Sequence, residues 1–269
     1  MEGGASANEK DGSQGGRPQV RTVLLLEDDK ALRALLRASL AVHGMEIVEA
    51  GRVRDAENIL QHRPIDVVVV DGLLPDDQGL EFIERLRARD RDIRIVYCSA
   101  YFRDLNTFRR LTDALRVSLV AYKPVEPKSF AAQIAELAGV RAEGSSPPAG
   151  GSEDAGFALE IAELHRQFSD QLLEKVDAIE EALEAAHTGS VPLPRARDLA
   201  HALRGSAGSY GFAAVSEALG VVEYLLAEAA SRDVPERPYF WEEARSGLRE
   251  ARRVASLALK HLRHPGSPG

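Results

Sequence analysis

The sequence predicts two units in tandem: an α/β doubly wound domain built on a five-stranded parallel sheet, then an all-α antiparallel helical bundle. Three observations carry this prediction. The first part of the chain alternates short apolar runs with longer amphipathic stretches, and beyond residue 156 the strand signal vanishes while apolar residues recur at steps of three or four. Between them lies RAEGSSPPAGGSEDAG, residues 141–156, with the Gly, Ser and Pro content of a linker. The length of 269 residues also exceeds the usual single-domain size of roughly 100–200.

The elements follow in order. Residues 1–20 are Gly-, Ser- and polar-rich with almost nothing to bury, and read as a flexible leader. In the first domain, residues 21–140, the strands are VLLLE from Val23 to Glu27, MEIVEA from Met45 to Ala50, DVVVVD from Asp66 to Asp71, IRIVYCS from Ile93 to Ser99 and SLVAY from Ser118 to Tyr122. Several are apolar throughout, as expected of a parallel sheet covered on both faces. In the second domain, residues 157–264, Ile161, Leu164, Phe168, Leu172, Val176, Ile179 and Leu183 form one helical stripe. Trp241, Ala244, Leu248, Ala251, Ala255, Ala258 and Leu262 form another, with further helical patterns at 194–207 and 212–231. Four such segments predict an antiparallel bundle followed by a short tail, residues 265–269.

Composition excludes several classes. Hydrophobic residues at 44% and charged residues at 28% are ordinary globular usage. No apolar run approaches the roughly 18 residues a membrane span needs. The N-terminus has no basic region followed by an apolar stretch, and the single cysteine, Cys98, suits a reducing compartment, so a cytoplasmic location without membrane insertion is expected. The net charge of -8 disfavours nucleic acid as a partner, because phosphate contacts need clustered Lys and Arg. Residues 153–269 hold 19 acidic and 13 basic side chains, so most of the imbalance lies in the helical half.

In an open parallel sheet, chemistry gathers at the carboxyl ends of the strands. Glu27 and Asp28 end the first strand there and Asp71 ends the third. Converging carboxylates repel unless a cation neutralises them, and hard oxygen ligands suit Mg²⁺. Ser99 and Lys123, at the ends of strands four and five, add a hydroxyl and a cation, a set suited to a phosphoryl group carried on a carboxylate. Any one of these acids alone would read as a strand-end or capping residue; five coincident positions argue for a site.

These residues resemble the response-regulator receiver (CheY-like) family. DVVVVDGLLPDDQG matches its phosphoacceptor stretch, with Asp71 followed by Pro75 and Gly79, and Glu27-Asp28, Ser99-Ala100 and Lys123-Pro124 complete the set in order over roughly 120 residues. The resemblance implies phosphorylation of Asp71. It implies Mg²⁺ held by Asp28, Asp71 and the Leu73 carbonyl, with Glu27 acting through water, and Ser99 and Lys123 on the phosphoryl oxygens. The family usually has an aromatic three residues before the lysine, where this chain has Val120; Tyr122 should face away from Lys123 by strand alternation. Leu73 and Tyr101 stand where the family controls water access to the acyl phosphate, so a long-lived phosphoaspartate is expected.

In the helical domain, AHALRGSAGSYGF places His201 on a helix with Arg204 at i+3 and Gly205 at i+4, on one face. A helical glycine costs about 1 kcal/mol against alanine, and here its missing side chain would admit another protein's active site, while Arg204 could hold a phosphoryl oxygen. HALRGSAGSYGFAAVSEALGVVE resembles the histidine phosphotransfer (HPt) family, and within it the phosphotransfer domain of the chemotaxis kinase CheA. The resemblance implies that His201 is phosphorylated, that Arg204 replaces the more common lysine, and that Glu223 hydrogen-bonds the imidazole. The other histidines have no comparable neighbours.

The leading expectation is a phosphorelay protein that accepts a phosphoryl group on Asp71 and on His201 and passes it between a sensor histidine kinase and other receiver or HPt domains. No nucleotide-binding glycine motif is present, so ATP would be used by that separate kinase. Two routes stay open: kinase to Asp71 to His201 to another receiver, or kinase to His201 with Asp71 as a sink. A second reading is a regulatory binding module in which only Asp71 is used and the helical domain docks on a partner. A transcription factor is disfavoured by the acidic C-terminal half.

Overall fold

The computed structural model describes residues 20–100, 105–140, 153–231 and 239–263. Tyr101, residues 1–19 of the expected leader, residues 141–152 of the expected linker and the expected tail lie outside the described residues. The first domain runs β1 (Thr22–Leu26), α1 (Lys30–Ala41), β2 (Glu46–Ala50), α2 (Val53–His62), β3 (Val67–Asp71), α3 (Gly79–Arg89), β4 (Arg94–Ser99), α4 (Leu105–Arg109, continued by a π-helical turn Arg110–Ala114), β5 (Leu119–Tyr122) and α5 (Pro127–Ala138). The second comprises α6 (Glu153–His187), α7 (Pro194–Ser209), α8 (Ala213–Ser231) and α9 (Phe240–Arg263). Helix α6 already includes residues 153–156, which the sequence reading assigned to the linker.

The sheet is all parallel in the order β2-β1-β3-β4-β5. Side-chain alternation divides the core cleanly. Val23, Leu25, Val67, Val69, Val96 and Cys98 face α1 and α5, whereas Leu24, Leu26, Val68, Val70, Ile95 and Tyr97 face α2, α3 and Leu111. Every strand residue of β1 and β3 is therefore buried, which is why these strands read as unbroken apolar runs. The order reverses between β1 and β3, so their carboxyl ends form the crevice where ligands bind in such folds.

Helix ends bring acids to this crevice and also remove one from it. Asp29 caps α1, its carboxylate accepting from the backbone of Ala31 and Leu32 at 2.8 and 2.9 Å. Of the run Glu27-Asp28-Asp29, the first two are thus left for the pocket. Gly79 starts α3 hard against the phosphoacceptor strand: a Cβ there would lie 2.1 Å from the Asp71 carbonyl oxygen, so only glycine fits.

In the bundle, Phe168, Leu172, Val176, Ile179 and Leu183 of α6 are buried against Ala196, Ala200 and Leu203 of α7, Leu219, Val222 and Leu226 of α8, and Leu248, Ala251 and Ala255 of α9. The expected α9 stripe is corrected at its ends. Phe240 and Leu259 are buried in place of Trp241 and Ala258, which are partly covered, and Leu262 is exposed. A straight helix drifts relative to a fixed repeat over this length, so the core-facing stripe rotates around the surface. Leu172→Ala, removing a fully buried side chain at the bundle centre, is expected to lower the stability of the helical domain by about 2–5 kcal/mol, read as an earlier urea transition of the helical signal.

Candidate functional site

At the carboxyl end of the sheet, Glu27, Asp28 and Asp71 present carboxylate oxygens within 4.8 Å of one another. Lys123, at the end of β5, reaches back so that its Nζ donates to Glu27 Oε2 at 2.7 Å and meets Asp71 Oδ2 at 2.8 Å. Glu27, Asp71 and Lys123 are buried, and Asp28 stands at the rim. Three carboxylates against one ammonium leave an ionised pocket with a formal excess of two negative charges.

Electrostatics report the same strain. Burial, then the Asp71 charge, push Glu27 well above the usual carboxylate range despite the pull of Lys123. Asp28 is raised to about 6, first by the protein crowding its pocket side and then by Asp71. Burial works against the Lys123 cation, but the Asp71 and Glu27 charges outweigh it and hold the ammonium well above the usual lysine value. Asp71 Oδ1 is buried with no hydrogen-bond partner among the described residues. An all-oxygen donor set with an orphaned carboxylate oxygen and excess negative charge fits a hard divalent cation.

Leu73 follows Asp71 and forms an isolated bridge with Gln78. The two bonds of that bridge use Gly72 O and Asp77 O, so it does not consume the Leu73 carbonyl. Ser99 is buried at the end of β4, and the Tyr97 hydroxyl hydrogen-bonds to it. A Cβ on Gly72 would lie 2.5 Å from Ser99 Oγ and 2.7 Å from the Tyr97 hydroxyl, which defines how tightly these groups line the pocket floor. Val120, the expected departure from the aromatic pattern, pairs in register with Tyr97. An aromatic ring therefore occupies this end of the sheet from β4 instead of β5. Tyr122 is exposed, whereas Lys123 is buried.

In the helical domain, His201 is buried in α7 and its Nδ1 donates to Glu223 Oε1 of α8 at 2.6 Å. The carboxylate fixes the ring and its tautomer, assigning the nucleophilic lone pair to Nε2. Arg204 makes a contact that spacing did not predict: its guanidinium Nη1 donates to Glu223 Oε2 at 2.8 Å. The reason is the burial of Glu223, whose second oxygen needs its own donor. Burial works against the Glu223 charge, but the bonds from His201 and Arg204 prevail and hold its carboxyl below the usual range.

The two sites meet. A Cβ on Gly205 would lie 3.1 Å from the Lys123 side chain, so the active site that the glycine admits belongs to the same chain. A protonated His201 would lower the Asp28 carboxyl, so the two groups lie within electrostatic reach of each other. A cavity of about 280 Å³ is lined by Gly72, Leu73 and Ser99 from one side and by Arg197 and Glu223 from the other. Liquid water takes about 30 Å³ per molecule, so the cavity has room for several water-sized groups. The sequence reading missed Arg197, which stands one turn before His201 on the same face of α7, and Tyr97, two residues before Ser99 on the same face of β4.

The family model for the response regulator receiver domain matches residues 23–135, and that for the Hpt domain matches residues 163–254. The chain joins a response regulator receiver domain to an Hpt domain. Receiver and Hpt domains are domains of two-component phosphorelays, and receiver domains bind Mg²⁺ at an acidic pocket of the kind seen here. Among curated relatives it is 32% identical over 142 residues to the DNA-binding transcriptional regulator NtrC of Azospirillum brasilense, covering 52% of this chain and 28% of that protein. It is 28% identical over 119 residues to the phosphate regulon regulator PhoB of Pseudomonas aeruginosa, covering 42% of this chain and 50% of that one. The chain thus spans half or less of the length of these two relatives. Among solved structures, the non-phosphorylated HemR receiver domain from Leptospira biflexa is 24% identical, with a TM-score of 0.41, covering 47% of this chain and 98% of that one. No helix of the described residues is long and apolar enough to cross a membrane.

The pocket generates a pH prediction. Asp28 titrates near 6 in the fold against 3.8 ordinarily, so its charged form is disfavoured in the folded chain. In EDTA, this group makes the chain more stable as pH falls from about 6 towards 4. Asp28→Asn is expected to shrink that gain in urea unfolding measured across the range. Excess Mg²⁺ is expected to raise the stability of the wild type near pH 7, and protonation of Asp28 to erode that increase below about 6.

Proposed function

We propose that the chain accepts a phosphoryl group on Asp71, in a Mg²⁺-dependent step, and on His201, and passes it between a sensor histidine kinase and other receiver or HPt domains. The observation that carries this reading is the buried His201–Glu223–Arg204 arrangement on the helix face that meets the acidic pocket. A packed structural histidine would not need a buried carboxylate on Nδ1 and an arginine on that carboxylate.

Asp28, Asp71 and the Leu73 carbonyl would hold the metal, with Glu27 behind them, and the bound cation would supply charge neutralisation for a phosphoryl group. The chain's own residues do the rest. An Asp71 carboxylate oxygen attacks phosphorus, forming an O–P bond as the bond from phosphorus to the donor breaks. Lys123, already beside Asp71 at 2.8 Å, compensates negative charge on the phosphoryl oxygens, and the Ser99 hydroxyl donates to one of them. At the second site the Nε2 lone pair forms a bond to phosphorus as the bond from phosphorus to the donor oxygen breaks, the donor keeping that electron pair, while the proton stays on Nδ1 and its bond to Glu223 stabilises the imidazolium that results.

Phosphorylation of wild type, Asp71→Ala and His201→Ala by a cognate kinase or a small phosphodonor tests this. Base-labile acyl phosphate is expected to vanish in Asp71→Ala, and acid-labile, base-stable phosphohistidine in His201→Ala. Unchanged transfer to downstream receivers by His201→Ala would contradict the relay. The lifetime of the acyl phosphate gives a separate check: Leu73→Asn, which replaces an apolar side chain at the pocket with one that orients water, is expected to hasten its decay.

A further inference from the structure

The interface between the two domains is built like a core. Helix α1 carries two apolar stripes. Leu32, Leu36 and Leu40 pack on the receiver's own sheet, whereas Leu35, only 1% exposed, lies in the hydrophobic core cluster of the Hpt bundle with Ala31 packed against it. The buried Tyr210 stacks on Phe168 at a centroid separation of 4.2 Å and donates its hydroxyl proton to the Ala31 carbonyl at 2.9 Å. Arg37 of α1 pairs with Glu160 of α6 at the rim.

Helix α7 has been shaped for the same contact. Gly205 lies against Lys123, and a Cβ on Gly208 would sit 2.2 Å from the Cβ of Pro124, a distance no side chain survives. Glycine inside a helix is destabilising against alanine, and both glycines lie on the face turned to the Lys123-Pro124 pair. Within this contact Asp71, Lys123 and His201 are all buried, so another protein's histidine or aspartate cannot reach either acceptor while the domains are docked.

We infer that the receiver and the Hpt domain of one chain are each other's docking partners, that the phosphoryl group passes directly between Asp71 and His201 within the chain, and that outside partners gain access only when this pair opens. The inference rests on the reading of Asp71 and His201 as the two acceptors. In the step, the Nε2 lone pair forms a P–N bond as the O–P bond to Asp71 breaks. Asp71 keeps that electron pair and returns to a carboxylate, the Nδ1 proton stays between the ring and Glu223, and no further reactant is consumed in either direction.

The test uses full-length chains, Mg²⁺ and acetyl phosphate, which loads Asp71, with acid-labile, base-stable phosphate as the readout. Wild type is compared with an equimolar mixture of Asp71→Asn and His201→Gln, in which each chain retains one acceptor. Tethering sets an effective concentration of the order of millimolar. Wild type at about 1 µM is therefore expected to form phosphohistidine at least about 100-fold faster than the mixture. Its rate per chain should not change on dilution. Leu35→Gln, which spoils the docking stripe while leaving the receiver's own core intact, is expected to slow wild-type transfer without slowing acyl phosphate formation. Gly208→Ala provides a second disruption with the same expected result. A mixture as fast as wild type, or a wild-type rate that falls in proportion to dilution, would overturn exchange within the chain and leave the relay intact. Acyl phosphate with no phosphohistidine in either sample would overturn both.

Discussion

Lys123 is the side chain on which both halves of the molecule depend. Its ammonium is the sole cation bonded to the Glu27 and Asp71 carboxylates among the described residues, and its aliphatic stem is the surface against which Gly205 of α7 rests. The long stem of lysine allows this division, since its methylenes pack as apolar surface while its charge stays with the acids. The buried carboxylates are tolerable because the ammonium is there, and the ammonium stays charged in a buried position because the carboxylates surround it. Burial raises the Glu27 and Asp28 carboxyls first, and three acids against one cation leave the pocket short of positive charge, so that the Asp71 charge raises them further.

The second site solves a related problem differently. Glu223 is as deeply buried as Asp71, yet its carboxyl is held below the usual range because both oxygens have cationic or polarisable donors, His201 on one and Arg204 on the other. One acid environment therefore invites a metal while the other is internally satisfied. The contrast separates their chemistry: the first pocket must recruit charge from outside to stabilise an acyl phosphate, and the second carries its compensation in the fold. A phosphoryl group moving between them needs no rebuilding of either environment, only the approach that the two glycines of α7 permit.

Much of this was legible in the chain. The five strands fall within one residue of their expected ends, most plainly β1, β3 and β4, because the inner strands of a parallel sheet covered on both faces write themselves as apolar runs. His201 and Gly205 were legible from helical spacing, since a glycine inside a helix one turn from a histidine demands a close neighbour, whereas Glu223 came only from the resemblance to the HPt family. What stayed hidden depends on packing between distant segments. Spacing put Arg204 on the His201 face but could not say that a buried carboxylate on another helix would claim it. Helical spacing along α1 cannot distinguish Leu36, which faces its own sheet, from Leu35, which belongs to the core of the other domain. Arg197 and Tyr97 escaped notice because each acquires meaning only from the cavity that the two domains enclose.

The resting chain holds its two acceptor sites together. The most direct measurement is an electron-spin distance between labels on cysteines introduced at Glu136 of α5 and Glu250 of α9, both exposed and each in a different domain, with the native Cys98 buried and unreactive towards the label. A docked chain gives one narrow distance distribution that is unchanged on dilution and broadens in Leu35→Gln. A broad distribution in the wild type, unaltered by that substitution, would contradict the account.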